Sequence, residues 1–360
     1  MPRIKIIALD LLNDDLLSED YLESLAESKL DHLIKKINQV MIEVAKDKNK
    51  KIDDKIFIVW REHGITNCTN RNLTIEFKKL FKKRLSDITS KYPNLAIIAG
   101  TIATVKNITL EKIPLISSLI SCAYDTNQWI SNVEVKDSLD EEYQPHQNQA
   151  ENVIKNLGSD ILDELNVIRN TCYIFYAGTC VHRHDKIAPF NEVRGFVDTV
   201  FQPTNQKGNS SVVNINDVTF GIEICRENGI GVLKYECTSQ SYSSIKPLIH
   251  FVVSNTINLT EKNLFGEYIF HVDSKYQIDF FCMRDLRKSI THEVIAYKTN
   301  LSNLSDGLSK ITPQFVSEKN NADENKTSHV SSNPNSVYGK TKLPKTKNDL
   351  EPNVKRRKLN

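Results

Sequence analysis

The chain has 360 residues, which bounds it at one large domain or two ordinary ones, and 39% of them are hydrophobic, enough to bury a sizeable core. Charged residues make up 26% and the formal net charge is +2, so the whole molecule has no strong electrostatic bias toward nucleic acid or a membrane surface. The opening MPRIKIIALDLLNDDLLSED is not expected to act as a signal peptide, because acidic residues interrupt its apolar stretch. No run reaches the roughly 18 apolar residues that a membrane-spanning helix needs. Seven cysteines, odd in number and without a CxxC pair, argue against a disulfide framework or a structural zinc site. They suit a reducing, cytoplasmic compartment, where a reactive thiol stays usable.

The first predicted element is an apolar strand over 3–9, RIKIIAL. Leu30, Leu33, Ile34, Ile37, Val40, Met41 and Val44 then recur at three- and four-residue steps, the signature of one helix face. KIFIVW at 55–60 reads as a second strand. A second amphipathic helix carries Ile75, Leu80, Phe81, Leu85 and Ile88 and is closed by Pro93. LAIIAGTIATV at 95–105 reads as a single third strand, with Gly100 marking a close approach of something else.

Residues 106–150 are expected to hold an inserted helix and loop, and a helix is predicted over 151–168 from Val153, Ile154, Leu157, Ile161, Leu162, Leu165 and Val167. Strands follow at 171–177, 211–215, 218–224, 248–254, 268–272, 278–283 and 293–298. Helices and strands alternate early and strands cluster late, which predicts an α/β layered domain over 1–300. From 301 the chain turns rich in Asn, Ser, Lys and Pro, and residues 316–360 contain one aromatic, Tyr338. Such a composition cannot offset its ordering entropy, so 301–360 is expected to be a disordered basic tail. The KRRK run, Lys355 to Lys358, is either a solvated charge run or an address, nuclear or for a secreted effector.

Three polar residues follow predicted strands. VTFGIEI runs straight into Cys225 and the polar RENG, delivering a thiol to a sheet edge at a sharp turn. A thiol becomes a strong nucleophile when a neighbouring base takes its proton, although taken alone Cys225 reads as the small buried hydrophobe that most free cysteines are. Glu62 ends the apolar IFIVW run, where partial desolvation would suit a general base; the bland alternative is a solvated acid. Lys186, in HRHDKIAPFNE, is a loop cation able to hold an oxyanion or simply to face water. His182, His184 and Asp185 put two imidazoles on one strand face, but without a third or fourth ligand they do not complete a metal site.

The order Glu62, Lys186, Cys225 and the contexts of these residues resemble the nitrilase superfamily, whose triad is Glu–Lys–Cys. IFIVWRE is similar to the strand bearing the family's glutamate, LAIIAGTIA to its Ile-Ala-Gly strand, CYIFYAG and HDKIAPFNE to the lysine strand and loop, and VTFGIEICRE to the strand leading into the cysteine. The resemblance covers roughly residues 3–300; no single motif is specific, the ordered set is. Two departures stand out. Arg61 occupies the position of the customary proline and would place a cation beside Glu62. Glu192, matching the family's second glutamate, lies six residues after Lys186, and an ungapped match on it would put His184 in the lysine's place.

The resemblance implies an α-β-β-α sandwich, paired into homodimers or higher oligomers, that hydrolyses a small-molecule amide or nitrile through a cysteine thioester with no cofactor or metal. Glu62, Lys186 and Cys225 would be catalytic, and Glu192, His184, Arg226 and Glu227 would contact substrate or orient the lysine. A soluble N-acyltransferase with the same triad and a nitrilase-like binding scaffold without catalysis are the rival readings.

Overall fold

The computed structural model describes residues 3–10, 23–47, 54–65, 73–109, 164–187, 199–201, 210–239, 246–255, 257–273, 278–283, 292–300 and 307–316. The expected insertion beyond residue 109, the first part of the helix expected at 151–168, Glu192 and the tail from 317 lie outside the described residues. In chain order the elements are β1 (Arg3–Asp10), α1 (Glu23–Ala45), β2 (Lys55–Val59), α2 (Ile75–Lys91), β3 (Leu95–Ile98), β4 (Ile102–Thr109), β5 (Glu164–Tyr176), β6 (Thr179–Asp185) and β7 (Thr199–Phe201). They continue as β8 (Val212–Ile215), β9 (Val218–Ile224), α3 (Arg226–Ile230), α4 (Val232–Ser239), β10 (Ile249–Val253), a 3-10 turn at Glu261–Asn263, β11 (Tyr268–Val272), β12 (Asp279–Cys282), β13 (Glu293–Asn300), β14 (Ser309–Ile311) and β15 (Gln314–Phe315).

These strands form two sheets. The first has the order β14-β13-β1-β2-β3-β5-β4, with β6 and β7 also paired to β5; the second runs β15-β12-β11-β10-β9-β8. Alternation along each strand decides which layer a side chain joins. On β2, Ile56 and Ile58, followed by Trp60, pack under α1 and α2 with Leu33, Ile37, Phe81 and Leu85. Phe57 and Val59, from the opposite face, meet Phe220, Ile222, Phe251 and Phe270 of the second sheet. Phe57 and Phe220 pack edge to face with centroids 5.4 Å apart, and Phe220 and Phe251 do the same at 5.6 Å, geometry worth about 0.5–1.5 kcal/mol per pair beyond the area buried. On β9, Phe220, Ile222 and Ile224 face this inter-sheet core. Gly221 lies between them on the other face, where a Cβ would overlap the Leu233 side chain of α4. The result is an α-β-β-α sandwich.

Helix α1 buries the expected face, Leu30, Leu33, Ile37, Val40, Met41 and Val44. Helix α2 is capped by Thr74, whose hydroxyl accepts from Phe77 N–H at 3.2 Å, and it ends at Lys91 because Pro93 keeps Tyr92 out of helical geometry. Ile75 of the expected face is 38% exposed, and Phe77 takes its place in the core.

Four expectations are corrected. The single strand at 95–105 is two strands, broken where Gly100 turns to φ +44. A Cβ there would overlap the Arg61 carbonyl and the Trp60 ring, so the break is the close approach that the glycine signalled. The helix expected to reach 168 is strand from Glu164 onward, paired antiparallel with β4 from Thr109↔Glu164 to Ile102↔Thr171. Its closely spaced apolar residues fit either period, and the partner strand decides. The loop expected to carry Lys186 begins as strand β6. Beyond residue 300, β14 pairs with β13 and β15 with β12.

Candidate active site

Three strand exits meet at one end of the sandwich. After β2 the chain turns tightly: Gly64 N–H bonds the Arg61 carbonyl at 3.3 Å, His63 takes φ +54, and His63 N–H bonds Thr101 Oγ1 at 3.1 Å. That turn lies against Gly100 and puts Glu62 inside, 1% exposed. Lys186 follows β6 and is held by its own N–H on the Asn170 carbonyl of β5 at 2.8 Å. Cys225 follows β9; its N–H bonds the Val253 carbonyl of β10 at 2.9 Å, and its carbonyl accepts from Asn228 N–H at 3.1 Å as α3 begins. A non-glycine residue at φ +51, ψ −111 sits in sparsely populated backbone space, so the neighbouring elements must hold Cys225 there.

The three side chains converge. Lys186 Nζ donates to Glu62 Oε1 at 2.9 Å and Asn170 Nδ2 donates to the same oxygen at 2.9 Å, while the Cys225 thiol lies near enough to Glu62 for each group to shift the other's proton affinity. His63 Nε2 stands 3.5 Å from that oxygen and 3.4 Å from Asn170 Nδ2. Burial pushes Glu62 up, but the charges of Lys186 and His63 and the bonds from Lys186 and Cys225 outweigh it and hold the carboxyl below its ordinary value. The charges acting most strongly on Glu62 are thus Lys186 and His63 rather than Arg61. Burial, reinforced by the Glu62 charge, pushes the Cys225 thiol well above its ordinary value; Lys186 and the Asn255 N–H pull the other way. The resting pair is a carboxylate base near a neutral thiol, with an ammonium beside both.

Of the two candidates for the cationic position, Lys186 reaches Glu62, while His184 turns to Glu227. His184 and Glu227, expected beside substrate, are fully buried. Glu227 accepts from Ile187 N–H at 2.6 Å with Oε1, and from Ile224 N–H at 2.7 Å and His184 Nε2 at 2.8 Å with Oε2. One carboxylate therefore ties the residue after Lys186 to the residue before Cys225. Burial opposes the charge on His184, but Glu227 prevails and holds its imidazole above the ordinary value. Arg226 is partly buried at the first position of α3. His182 Nε2 faces the Ser210 carbonyl at 2.8 Å, so the two histidines of the HRHD run face different partners. Among the described residues no group of three His, Cys, Asp or Glu side chains could hold a metal ion.

Asn170 is the site residue that sequence reasoning missed. It had a signal, a fully buried amide inside the apolar run VIRNTCYIFY, hidden by the helix assignment over its start.

No protein-family model and no curated protein matches the sequence. Among solved structures it is similar to several, each at low identity and with a TM-score below 0.5. A carbon–nitrogen hydrolase from Helicobacter pylori is 9% identical, with a TM-score of 0.39 over 72% of this chain and 77% of that one. A nitrilase-superfamily amidase from Nesterenkonia is 8% identical, with a TM-score of 0.38 over 76% of each chain. The glutamine-dependent NAD+ synthetase of Acinetobacter baumannii is 11% identical, with a TM-score of 0.35 over 71% of this chain and 38% of its own.

Proposed function

We propose that the protein is a carbon–nitrogen hydrolase that cleaves a small-molecule amide through a thioester on Cys225. The observation that carries this reading is the convergence of a base, a cation and a thiol from three separate strand exits, with Lys186 Nζ 2.9 Å from Glu62 Oε1 and the thiol near enough to the same carboxylate to feel its charge. A buried carboxylate, ammonium and thiol side by side are costly to assemble for stability alone.

In the proposed reaction Glu62 takes the thiol proton as the sulfur attacks the carbonyl carbon. Lys186 and the Arg226 N–H hold the resulting oxyanion. Glu62 then gives its proton to the amine as the C–N bond breaks, leaving a thioester. Water attacks the thioester and yields its proton to Glu62. The sulfur departs, recovers a proton from Glu62, and the carboxylic acid is released.

The test is ammonia release from a panel of small primary amides. Wild-type protein is expected to turn over members of the panel, and Cys225→Ala to lose about 10⁴-fold or more while keeping its circular dichroism spectrum. A Cys225→Ala protein with the wild-type rate refutes the reading.

A further inference from the structure

Asn170 has no step in the reaction proposed above, yet it holds two of the three groups that do. It sits where β5 passes the break between β3 and β4. It is paired with Ala103 of β4, and its carbonyl accepts the Lys186 N–H at 2.8 Å, one residue beyond the Thr171↔Asp185 pair with β6. Alternation along β5 sends Tyr173 and Phe175 to the helix layer, and Cys172 and Ile174 to the core between the sheets. Asn170 shares the second face and is fully buried. An amide in that position is costly unless it is paired.

Its partner is the Glu62 carboxylate. An ionised carboxylate only accepts, so the amide nitrogen is the atom turned toward it, and Nδ2 donates to Oε1 at 2.9 Å. Lys186 Nζ donates to the same oxygen at 2.9 Å. A carboxylate offers about two acceptor sites on each oxygen, so these two bonds fill Oε1. A proton arriving at Oε1 has to displace one of the donors, whereas a proton arriving at Oε2 displaces neither. One residue thus sets both the backbone from which the ammonium reaches and the oxygen that the ammonium shares.

We propose that Asn170 is a positioning residue whose side-chain amide, with Lys186, commits Glu62 Oε1 and so makes Oε2 the oxygen that takes the Cys225 proton. This rests on Glu62 being the general base. Donation to the ionised carboxyl also keeps the base available to lower pH. Among the described residues, the charged or titratable groups that face Glu62 are Lys186, His63 and Cys225.

The experiment is alkylation of the intact protein by iodoacetamide across a pH series, with each cysteine followed by peptide mass spectrometry. Half-buried Cys180 serves as the internal reference, and fully buried Cys172 reports opening of the fold. In wild-type protein Cys225 is expected to outpace Cys180 near neutral pH, with an acid limb that disappears in Glu62→Gln. Asn170→Leu keeps the volume and removes the donor. It is expected to raise that limb by about one pH unit and to lower the rate above the limb about tenfold. Losing the donor alone makes Glu62 a stronger base, which would speed proton removal, so the fall reports lost orientation. In the Glu62→Gln background Asn170→Leu should change nothing further, because its effect passes through the carboxylate. If Cys172 labels in Asn170→Leu, Asn170→Ala, which leaves space instead of crowding, is read in its place with the same signs. An unmoved limb, an undiminished rate, or an equal loss in the Glu62→Gln background overturns the role of Asn170 but leaves the hydrolase reading intact. Wild-type Cys225 reacting no faster than Cys180, or a limb that survives Glu62→Gln, overturns both.

Discussion

Glu62 and Glu227 are both buried glutamates at strand exits of the same site, yet their partners differ in kind. Glu62 is surrounded by side chains that carry or exchange protons: Lys186, His63 and the Cys225 thiol. Glu227 is surrounded mainly by backbone, the N–H groups of Ile187 and Ile224, with His184 as its one side-chain donor among the described residues. A carboxylate bonded to amides cannot pass a proton to them, but it fixes two chain segments that have no covalent reason to meet. A carboxylate beside a thiol has little value as scaffold, but it can take a proton. The contrast separates the group that would do the chemistry from the group that builds its frame.

The contrast can be broken or sharpened by substitution. The largest effect is expected at Glu62. Glu62→Gln removes the base while keeping shape and a hydrogen-bonding amide, and should lower turnover of an amide substrate about 10²–10⁴-fold, read in steady-state kinetics. Because it also releases Lys186 from a buried ion pair, its urea midpoint belongs beside the kinetics. Glu227→Ala should act chiefly on stability. It leaves two buried N–H groups and His184 without their acceptor and should cost about 3–5 kcal/mol in urea unfolding, in line with breaking a buried charged pair. A Glu227→Ala protein of wild-type stability would show that the two glutamates do not divide the work in this way.

The smallest effect is in pH. The Glu62 carboxyl is lower in the folded chain than in the unfolded chain. Its contribution to stability is therefore present above the unfolded value, about 4.3, and is lost as pH falls through the lower, folded value. The acid limb of activity should follow the same group, with the rate level down to about pH 5 and falling only below the ordinary glutamate range. A limb centred near neutrality would mean that burial, not Lys186, governs Glu62.

Much of the layering could be read in advance. The helix face from Leu30 to Val44 and the strands around Ile58, Ile222 and Phe270 depend on local periodicity, and they stand in the structure as the sequence spaced them. The order Glu62, Lys186, Cys225 was likewise visible, because each residue follows a strand. The extent of β5 was not. Leu165, Val167 and Ile168 fit a helix as well as a strand, and only pairing with β4 chose between them.

The sequence by itself determined which faces are apolar and that a carboxylate, an ammonium and a thiol follow strands in that order. It did so because burial acts on side chains at fixed, short spacings. Tertiary structure alone decided that these groups come together, that Lys186 rather than His184 faces Glu62, and that Glu227 serves as frame. Hydrogen bonds between strands far apart in the chain fix those choices, and they depend on how the two sheets pair and meet rather than on any local pattern.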